Sequence, residues 1–249
     1  MSLSSLALAY EQNEFNSLSF VLDKIEPAFD PELIISKLRP CSGRVERYLQ
    51  TLISEASTAA RPKAAIRVCR VEPLNEKEIF LENTLFSSEL LNANLAGRLQ
   101  AFAYVATEGI ELADWADSLS SSAKAFSWYI RYAALKLAEK RALSFVKSTF
   151  SLSQVSSMNP GALKFWPLGD QVPMFQLLSP LPDTIGVRLR ENLWMAPDLA
   201  STGVFFESRV KFYNCQLCKI NPCEHRKVDY QGYSGWPQTG IRLQMEAVI

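Results

Sequence analysis

The sequence contains no long apolar run and no excess of charge of either sign. No stretch approaches the roughly 18–20 apolar residues that a bilayer-spanning helix needs, and the start, Met1–Leu6, lacks the basic segment and apolar core of a secretory signal peptide. Basic and acidic residues number 26 each, so no net field attracts nucleic acid or an anionic membrane. We therefore expect a cytoplasmic protein whose partners include neither nucleic acid nor a membrane.

Motifs of several common enzyme classes are also absent. Histidine occurs once, at His225, and no Gly-x-Ser-x-Gly elbow accompanies it, which argues against a hydrolase with a histidine-dependent triad. The chain has neither a Walker A loop nor a Gly-x-Gly-x-x-Gly fingerprint. A nucleoside triphosphatase and a dinucleotide-dependent enzyme are therefore disfavoured.

Cysteine is present in an uneven distribution. Three of the five cysteines crowd together at Cys215, Cys218 and Cys223, which suits a reducing compartment better than a secreted disulfide framework. Their spacing brings three soft ligands within reach of one loop, and His225 is a candidate fourth ligand for zinc or an iron–sulfur cluster. Two other interpretations stay open: a Cys-x-x-Cys pair that cycles between dithiol and disulfide, and inert cysteines.

Hydrophobic periodicity predicts an α+β protein with a mainly antiparallel sheet and helices packed on it. Strands are predicted at residues 65–71, 78–82, 99–107, 152–155, 185–189 and 202–206. Helices are predicted after Asp30, over 43–59, after Ser88, from 110 to 146 and over 170–178. Trp128 and Tyr132 are expected to face the core, and Cys41 and Cys69 to be plain buried residues.

Three regions follow from this pattern. They are a helical N-terminal lead-in at residues 1–60, a main region at 61–226 and an irregular C-terminal tail at 227–249. No low-complexity linker separates them, so we expect one compact unit.

The tripeptide Asn159-Pro160-Gly161 is a candidate for a turn that contacts a ligand. Glycine permits a positive φ and a close approach of the backbone, and proline fixes the geometry of the turn. The same tripeptide is also typical of plain turns. Trp166-Pro167 beside it is predicted either to cap a pocket or to pack on the sheet.

Taken in order, these segments resemble the activation domain of vitamin B12-dependent methionine synthase, and especially its free-standing relatives. The resemblance covers roughly residues 60–226 and is more specific in its second half. It is carried by Asn159-Pro160-Gly161, Trp166-Pro167-Leu168 with Gln171 and Phe175, Ile185-Gly186-Val187-Arg188-Leu189, Met195-Ala196-Pro197, Ser201-Thr202-Gly203 and the Cys-x2-Cys-x4-Cys-x2-Arg tail.

The resemblance implies a curved α+β fold around a mainly antiparallel sheet. It also implies binding of S-adenosylmethionine, whose methyl group, together with one electron, restores methylcobalamin from inactive cob(II)alamin. The cobalamin would be carried by a partner, either a corrinoid protein or a cobalamin-dependent methyltransferase. If the chain is active, it is then a methyltransferase component.

The resemblance also implies a cofactor loop of the form Arg-x-x-x-Gly-Tyr. Laid on this chain, the loop runs through Ser157, Asn159, Pro160, Gly161 and Ala162. The family's glycine falls on Gly161, whereas the arginine position is Ser157 and the tyrosine position is Ala162. An arginine pairs bidentately with a carboxylate, and serine does not replace its charge.

Two alternatives from other functional classes accompany this hypothesis. The cysteine cluster is compatible with a metal- or cluster-carrying redox protein. The substitutions at Ser157 and Ala162 are compatible with a degenerate binding module that has no chemistry of its own.

Overall fold

The computed structural model describes residues 8–9, 18–38, 42–223 and 225–232. Within this part of the chain, one eight-stranded sheet, one two-stranded sheet and seven α-helices are formed. The strand pairs with a defined register are antiparallel. The predicted α+β class with a mainly antiparallel sheet is confirmed.

The elements have the following bounds. The strands are β1 (Leu8–Ala9), β2 (Ser19–Leu22), β3 (Lys63–Pro73), β4 (Glu78–Leu81), β5 (Thr84–Ser87), β6 (Gln100–Thr107), β7 (Val155–Met158), β8 (Arg188–Leu189), β9 (Met195–Ala196) and β10 (Ala200–Glu207). The helices are α1 (Pro31–Ser36), α2 (Gly43–Ala59), α3 (Glu89–Leu95), α4 (Ile110–Ser118), α5 (Ser121–Thr149), α6 (Gln171–Leu178) and α7 (Leu181–Thr184). The larger sheet has the order β1-β2-β3-β6-β10-β7, with β4 paired to β3 and β5.

Local side-chain chemistry explains where two of the helices begin. The Asp30 carboxylate accepts the backbone N–H of Leu33 at 3.1 Å and caps α1. The Ser88 hydroxyl accepts the N–H of Leu91 at 3.1 Å and caps α3. Both residues satisfy backbone donors that a helix leaves free at its first turn. Both helix starts are confirmed.

Contacts divide the chain into two compact units. The first comprises Met1–Ile66, Val105–Phe145 and Pro180–Ser201. Its core is formed by apolar side chains of α1, α2, α4 and α5, including Ile34, Leu49, Ile53, Leu112 and Ile130. On α2, the buried residues Leu49, Leu52, Ile53 and Ala56 recur at helical spacing, so this helix buries one face.

The second unit comprises Arg67–Tyr104, Val146–Ser179 and Thr202–Ile249. Its core is rich in aromatic rings. Tyr104 stacks on Phe205 with ring centroids 4.0 Å apart and planes 5° apart. Trp166 is fully buried and meets Phe86 edge to face. This unit contains the Asn159-Pro160-Gly161 turn.

The structure differs from the sequence-based expectations in several places. The lead-in contains the strands β1 and β2 as well as the helix α1. β7 begins at Val155, later than predicted, and in the stretch 185–189 only Arg188–Leu189 forms a strand. Trp128 is 41% exposed, so its predicted core position is wrong.

No helix of the described residues is both long and apolar enough to cross a membrane. The longest helix, α5, carries charged side chains along its length, among them Arg131, Lys136 and Lys140.

Candidate functional site

The five candidate loop residues follow one another from the end of β7 into an exposed turn. Ser157 is half-buried inside β7, where it pairs in register with Phe205 of β10. Pro160 is buried, whereas Gly161 and Ala162 are exposed. The structure therefore brings these residues together, but it places Ser157 on a strand and not in the loop.

Asn159 holds the start of the turn against the sheet. Its side-chain amide donates to the hydroxyl of Tyr104 and to the carbonyl of Thr202, both at 2.7 Å. Tyr104 is itself fixed by its stacking on Phe205. Both amide hydrogens of Asn159 are thus used within the protein, which makes this residue an anchor of the turn.

Gly161 closes the turn. It has a φ of +77°, a conformation that favours glycine, and its N–H donates to the carbonyl of Trp166 at 2.8 Å. A Cβ at this position would lie 2.7 Å from Cδ1 of Leu168. The space that glycine leaves is therefore filled by the protein's own Leu168 side chain.

Gly203 allows β10 to pass close to β7. A Cβ at this position would lie 2.3 Å from the carbonyl oxygen of Met158, 2.7 Å from Nδ2 of Asn159 and 2.8 Å from Cε1 of Tyr104. No side chain fits there without moving backbone. Gly203 belongs to the Ser201-Thr202-Gly203 segment of the resemblance, but its packing role is visible only in the folded chain.

Two further side-chain hydrogen bonds involve residues of the same unit. The indole N–H of Trp166 donates to Oδ2 of Asp170 at 2.9 Å. The hydroxyl of Thr202 donates to the side-chain oxygen of Gln171 at 2.6 Å, and both residues are buried. Burial raises the pKa of the Asp170 carboxyl, and the Trp166 indole acts in the opposite direction. The four-residue spacing of Trp166 and Asp170 is a local pattern from which this hydrogen bond could have been predicted.

We expect Asp170→Ala to lower the free energy of unfolding by about 1–3 kcal/mol, because it leaves the buried indole N–H of Trp166 without an acceptor. Asp170→Asn keeps an acceptor oxygen and removes a partly buried charge. Its free energy of unfolding should therefore equal or exceed that of the wild type near neutral pH. Urea denaturation of the three proteins measures the difference, and equal losses in both variants would contradict the hydrogen bond.

The cysteine-rich segment is organised by an arginine. The Arg226 guanidinium donates to the carbonyls of Cys215 at 3.3 Å, Cys218 at 3.2 Å and Val228 at 3.4 Å, and also to the carbonyl of Ile220. The guanidinium therefore satisfies backbone acceptors from three parts of the segment. The backbone N–H of Lys227 donates to Sγ of Cys215 at 3.4 Å.

The metal site at Cys215, Cys218, Cys223 and His225 remains a prediction from the sequence. In the described part of the chain, no three or more His, Cys, Asp or Glu side chains are placed to hold a metal ion. The three cysteines are free and half-buried, and the carbonyl contacts of Arg226 hold the backbone between them. Cys69 is buried as predicted, and burial raises the pKa of its thiol to about 12. Cys41 lies outside the described residues.

The first unit contains a buried ion pair that sequence reasoning missed. The Glu108 carboxylate is fully buried and accepts two hydrogen bonds from Arg131, at 2.7 Å and 2.5 Å. Burial raises the pKa of Glu108, and the Arg131 guanidinium opposes that shift. The pair connects the end of β6 to α5. No local sequence pattern indicates it, because the two residues are 23 positions apart.

One side of α5 carries a row of contacting side chains, Trp128, Tyr132 and Lys136. The rings of Trp128 and Tyr132 are stacked with centroids 5.2 Å apart, and Nζ of Lys136 lies 5.1 Å from the Tyr132 centroid. Lys136 also pairs with Glu139 at 2.6 Å. The stripe predicted to face the core is thus partly a surface feature.

A comparison with solved structures agrees with this fold. No model of a protein family matches the chain, and no curated protein matches it. Among solved structures, the chain is similar to the crystal structure of the MetH reactivation domain bound to AdoHcy, with a TM-score of 0.60. The match covers 82% of this chain and 83% of that chain at 13% sequence identity. The chain therefore has the α+β fold of a reactivation domain, as the sequence motifs predicted.

Proposed function

We propose that this chain is an accessory protein, similar in role to the activation domain of methionine synthase, that docks on a cobalamin-carrying partner of a corrinoid-dependent methyltransferase system. The observation that supports this role is the likeness in fold over 82% of the chain to the MetH reactivation domain. In such a system the cofactors supply the chemistry, and the protein contributes orientation and docking.

The residues of the loop fit S-adenosylmethionine poorly. Ser157 carries no charge to pair with a methionyl carboxylate, and Ala162 offers a single methyl group where the family has an aromatic ring. The amide of Asn159 donates to Tyr104 and Thr202, and Leu168 fills the space beside Gly161. The polar and apolar contacts that the family's loop implies are therefore not provided here.

These substitutions favour a protein that docks on its partner without binding the cofactor tightly. It corresponds to a binding module that keeps the scaffold of the turn and lacks the arginine and tyrosine. The metal-carrying redox alternative has no comparable support, because the described residues contain no group of three potential ligands.

Co-elution with a corrinoid protein tests the docking role. The full chain is mixed with the cobalamin-binding region of methionine synthase, loaded either with cob(II)alamin or with methylcobalamin, and analysed by size exclusion and calorimetry. We expect a complex with a dissociation constant of about 1 μM or tighter, roughly −8 kcal/mol. The same region without cobalamin is the control. Failure to associate in both cobalt states would contradict the proposal.

Restoring the family's loop residues tests the cofactor part separately. We expect the double variant Ser157→Arg with Ala162→Tyr to bind S-adenosylmethionine at least about 10-fold more tightly than the wild type, since a hydrogen bond to a charged group is worth about 1.5–3 kcal/mol. Titration calorimetry with S-adenosylmethionine and with AdoHcy measures the change.

Ser157→Gln with Ala162→Tyr is the matched control, because glutamine has a long polar side chain without the charge. A wild type that binds as tightly as the double variant would show that the ligand is not held by this loop. Docking on the corrinoid partner is measured independently and does not depend on this outcome.

A further inference from the structure

A cavity of about 470 Å³ opens in the second unit, where β10 ends and β6 begins. It lies away from the Asn159-Pro160-Gly161 turn, which follows the other end of β7. Its lining is contributed by the turn after α3, by the segment before β7 and by the end of β10. The lining residues that matter here are Ala96, Arg98, Ser153, Glu207, Ser208 and Arg209.

Arg98 presents a fixed cation to this cavity. Its Nη1 donates to the carbonyl of Ala96 at 3.1 Å, and its Nε donates to the carbonyl of Glu207. The guanidinium carbon lies 5.7 Å from the centroid of the Phe206 ring. These partners are two neutral carbonyls and a ring face. They orient the guanidinium, but they do not neutralise its charge.

Arg209 also lines this cavity. Its backbone carbonyl accepts the side-chain amide of Gln154 at 3.1 Å, which fixes the position of the residue. Its side chain is exposed and forms no ion pair with any residue that the structure describes. Burial lowers the pKa of Arg98, Glu207 opposes this shift, and the positive charge of Arg209 lowers the pKa further. The two positive charges therefore repel each other.

A third basic residue follows Arg209 in the chain. Lys211 follows Arg209 by two residues, and its ammonium group donates to the carbonyl of Val155. Burial lowers the pKa of Lys211, and the neighbouring charges of Lys227 and Lys147 add to this shift. Against these cations, the cavity lining offers one carboxylate, on the exposed side chain of Glu207.

We propose that this cavity binds the phosphate group of a small organic phosphate ester. The guanidinium groups of Arg98 and Arg209 and the hydroxyl of Ser153 would serve as donors. A phosphate monoester presents three terminal oxygens and about two negative charges, which suits two guanidinium groups and a hydroxyl. Ser208 does not compete for this role, because its hydroxyl is already bonded to that of Ser156 at 2.6 Å.

The size of the cavity indicates an organic phosphate and not the free ion. Cavities that hold small organic ligands have volumes of about 300–1,000 Å³, and this one lies within that range. A bare phosphate ion would leave much of it to solvent. The organic part of the ligand would occupy the space beside Ala96 and Ser153.

Calorimetry on the full chain tests the site with inorganic phosphate, adenosine monophosphate and adenosine as probes, at constant ionic strength set with chloride. We expect both phosphates to bind, the monophosphate ester more tightly, and adenosine without phosphate not to bind. Arg209→Ala should weaken binding of both phosphates by about 10-fold or more, because it removes a charge-assisted contact. Glu207→Gln should strengthen binding by a few-fold, because it removes a like charge from the rim.

Arg141→Ala is the matched control, since Arg141 is an exposed arginine on α5 outside the cavity. Thermal melting of each variant verifies that it is folded. The proposal is overturned if the wild type binds neither phosphate, or if Arg209→Ala and Arg141→Ala lose affinity equally. Equal affinity for inorganic phosphate and the ester would overturn the organic part of the assignment.

Discussion

Replacing Gly203 with alanine should lower the free energy of unfolding by about 3 kcal/mol or more. The added methyl group would lie 2.3 Å from the backbone carbonyl oxygen of Met158, much closer than real Cβ contacts come. Val204 and Met158 are paired between β10 and β7, so relief requires the two strands to separate. Overpacking that moves backbone costs about 1–3 kcal/mol and occasionally more.

The same substitution should also loosen the candidate loop. The new methyl group would crowd Nδ2 of Asn159 at 2.7 Å, the atom that donates to Tyr104 and Thr202. Gly169→Ala is the matched control, because it lies near the loop and no heavy atom beyond its chain neighbours lies within 4 Å of its added Cβ. We expect that control to stay within about 0.5 kcal/mol of the wild type.

Urea denaturation measures both glycine variants. If Gly203→Ala unfolds with a free energy within about 1 kcal/mol of the wild type, β7 and β10 are not as close as the structure has them. A loss of stability in Gly169→Ala of the same size as in Gly203→Ala would point to loop flexibility and not to strand packing.

Replacing Arg131 with leucine should destabilise the first unit by about 3–5 kcal/mol near neutral pH. The guanidinium makes two hydrogen bonds to the buried Glu108 carboxylate. Removing one partner of a buried pair leaves an uncompensated charge, which is the costly outcome. The double variant Glu108→Gln with Arg131→Leu should lose less, because no charge remains buried.

The loss of folding stability in Arg131→Leu should grow as the pH rises. Burial raises the pKa of Glu108 above its ordinary value of 4.5, and removal of Arg131 takes away the group that opposes this shift. The folded variant then keeps a proton at pH values at which the unfolded chain has released it. Its stability therefore falls as the pH rises from about 4.5 through the folded-state pKa.

Urea denaturation of the wild type, Arg131→Leu and the double variant, at about pH 5 and about pH 8, tests this dependence. The stability lost in Arg131→Leu, relative to the wild type, should be smaller at the lower pH. In the double variant, position 108 contributes no pH dependence of its own, because an amide does not titrate in this range. An equal deficit of Arg131→Leu at both pH values would show that Glu108 does not carry the effect.

Local chemistry in the sequence explains the elements that were predicted well. Asp30 and Ser88 mark helix starts because their side chains satisfy backbone donors three residues later. The alternation along β3 and the apolar run of β6 are consequences of which faces are buried. Such signals are short in range, so they survive without knowledge of the rest of the chain.

Side-chain environments were predicted less well, because they depend on contacts between distant segments. Trp128 has the spacing of a core residue on α5, yet it is 41% exposed, since a helix pattern does not say how wide the covered face is. The cysteine spacing likewise gives no sign of the arginine that organises this segment. In the folded segment, Arg226 donates to the backbone carbonyls of Cys215 and Cys218.

The sequence by itself determined the α+β class, the resemblance to a reactivation domain, and the turn at Asn159-Pro160-Gly161. Each depends on residues close together in the chain, or on their order. Only the tertiary structure decided that Asn159 is an anchor within the protein, that Glu108 is buried with Arg131, and that Arg98 and Arg209 line one cavity. Those partners lie far apart in sequence, and burial and distance, which set their energies, exist only once the chain has folded.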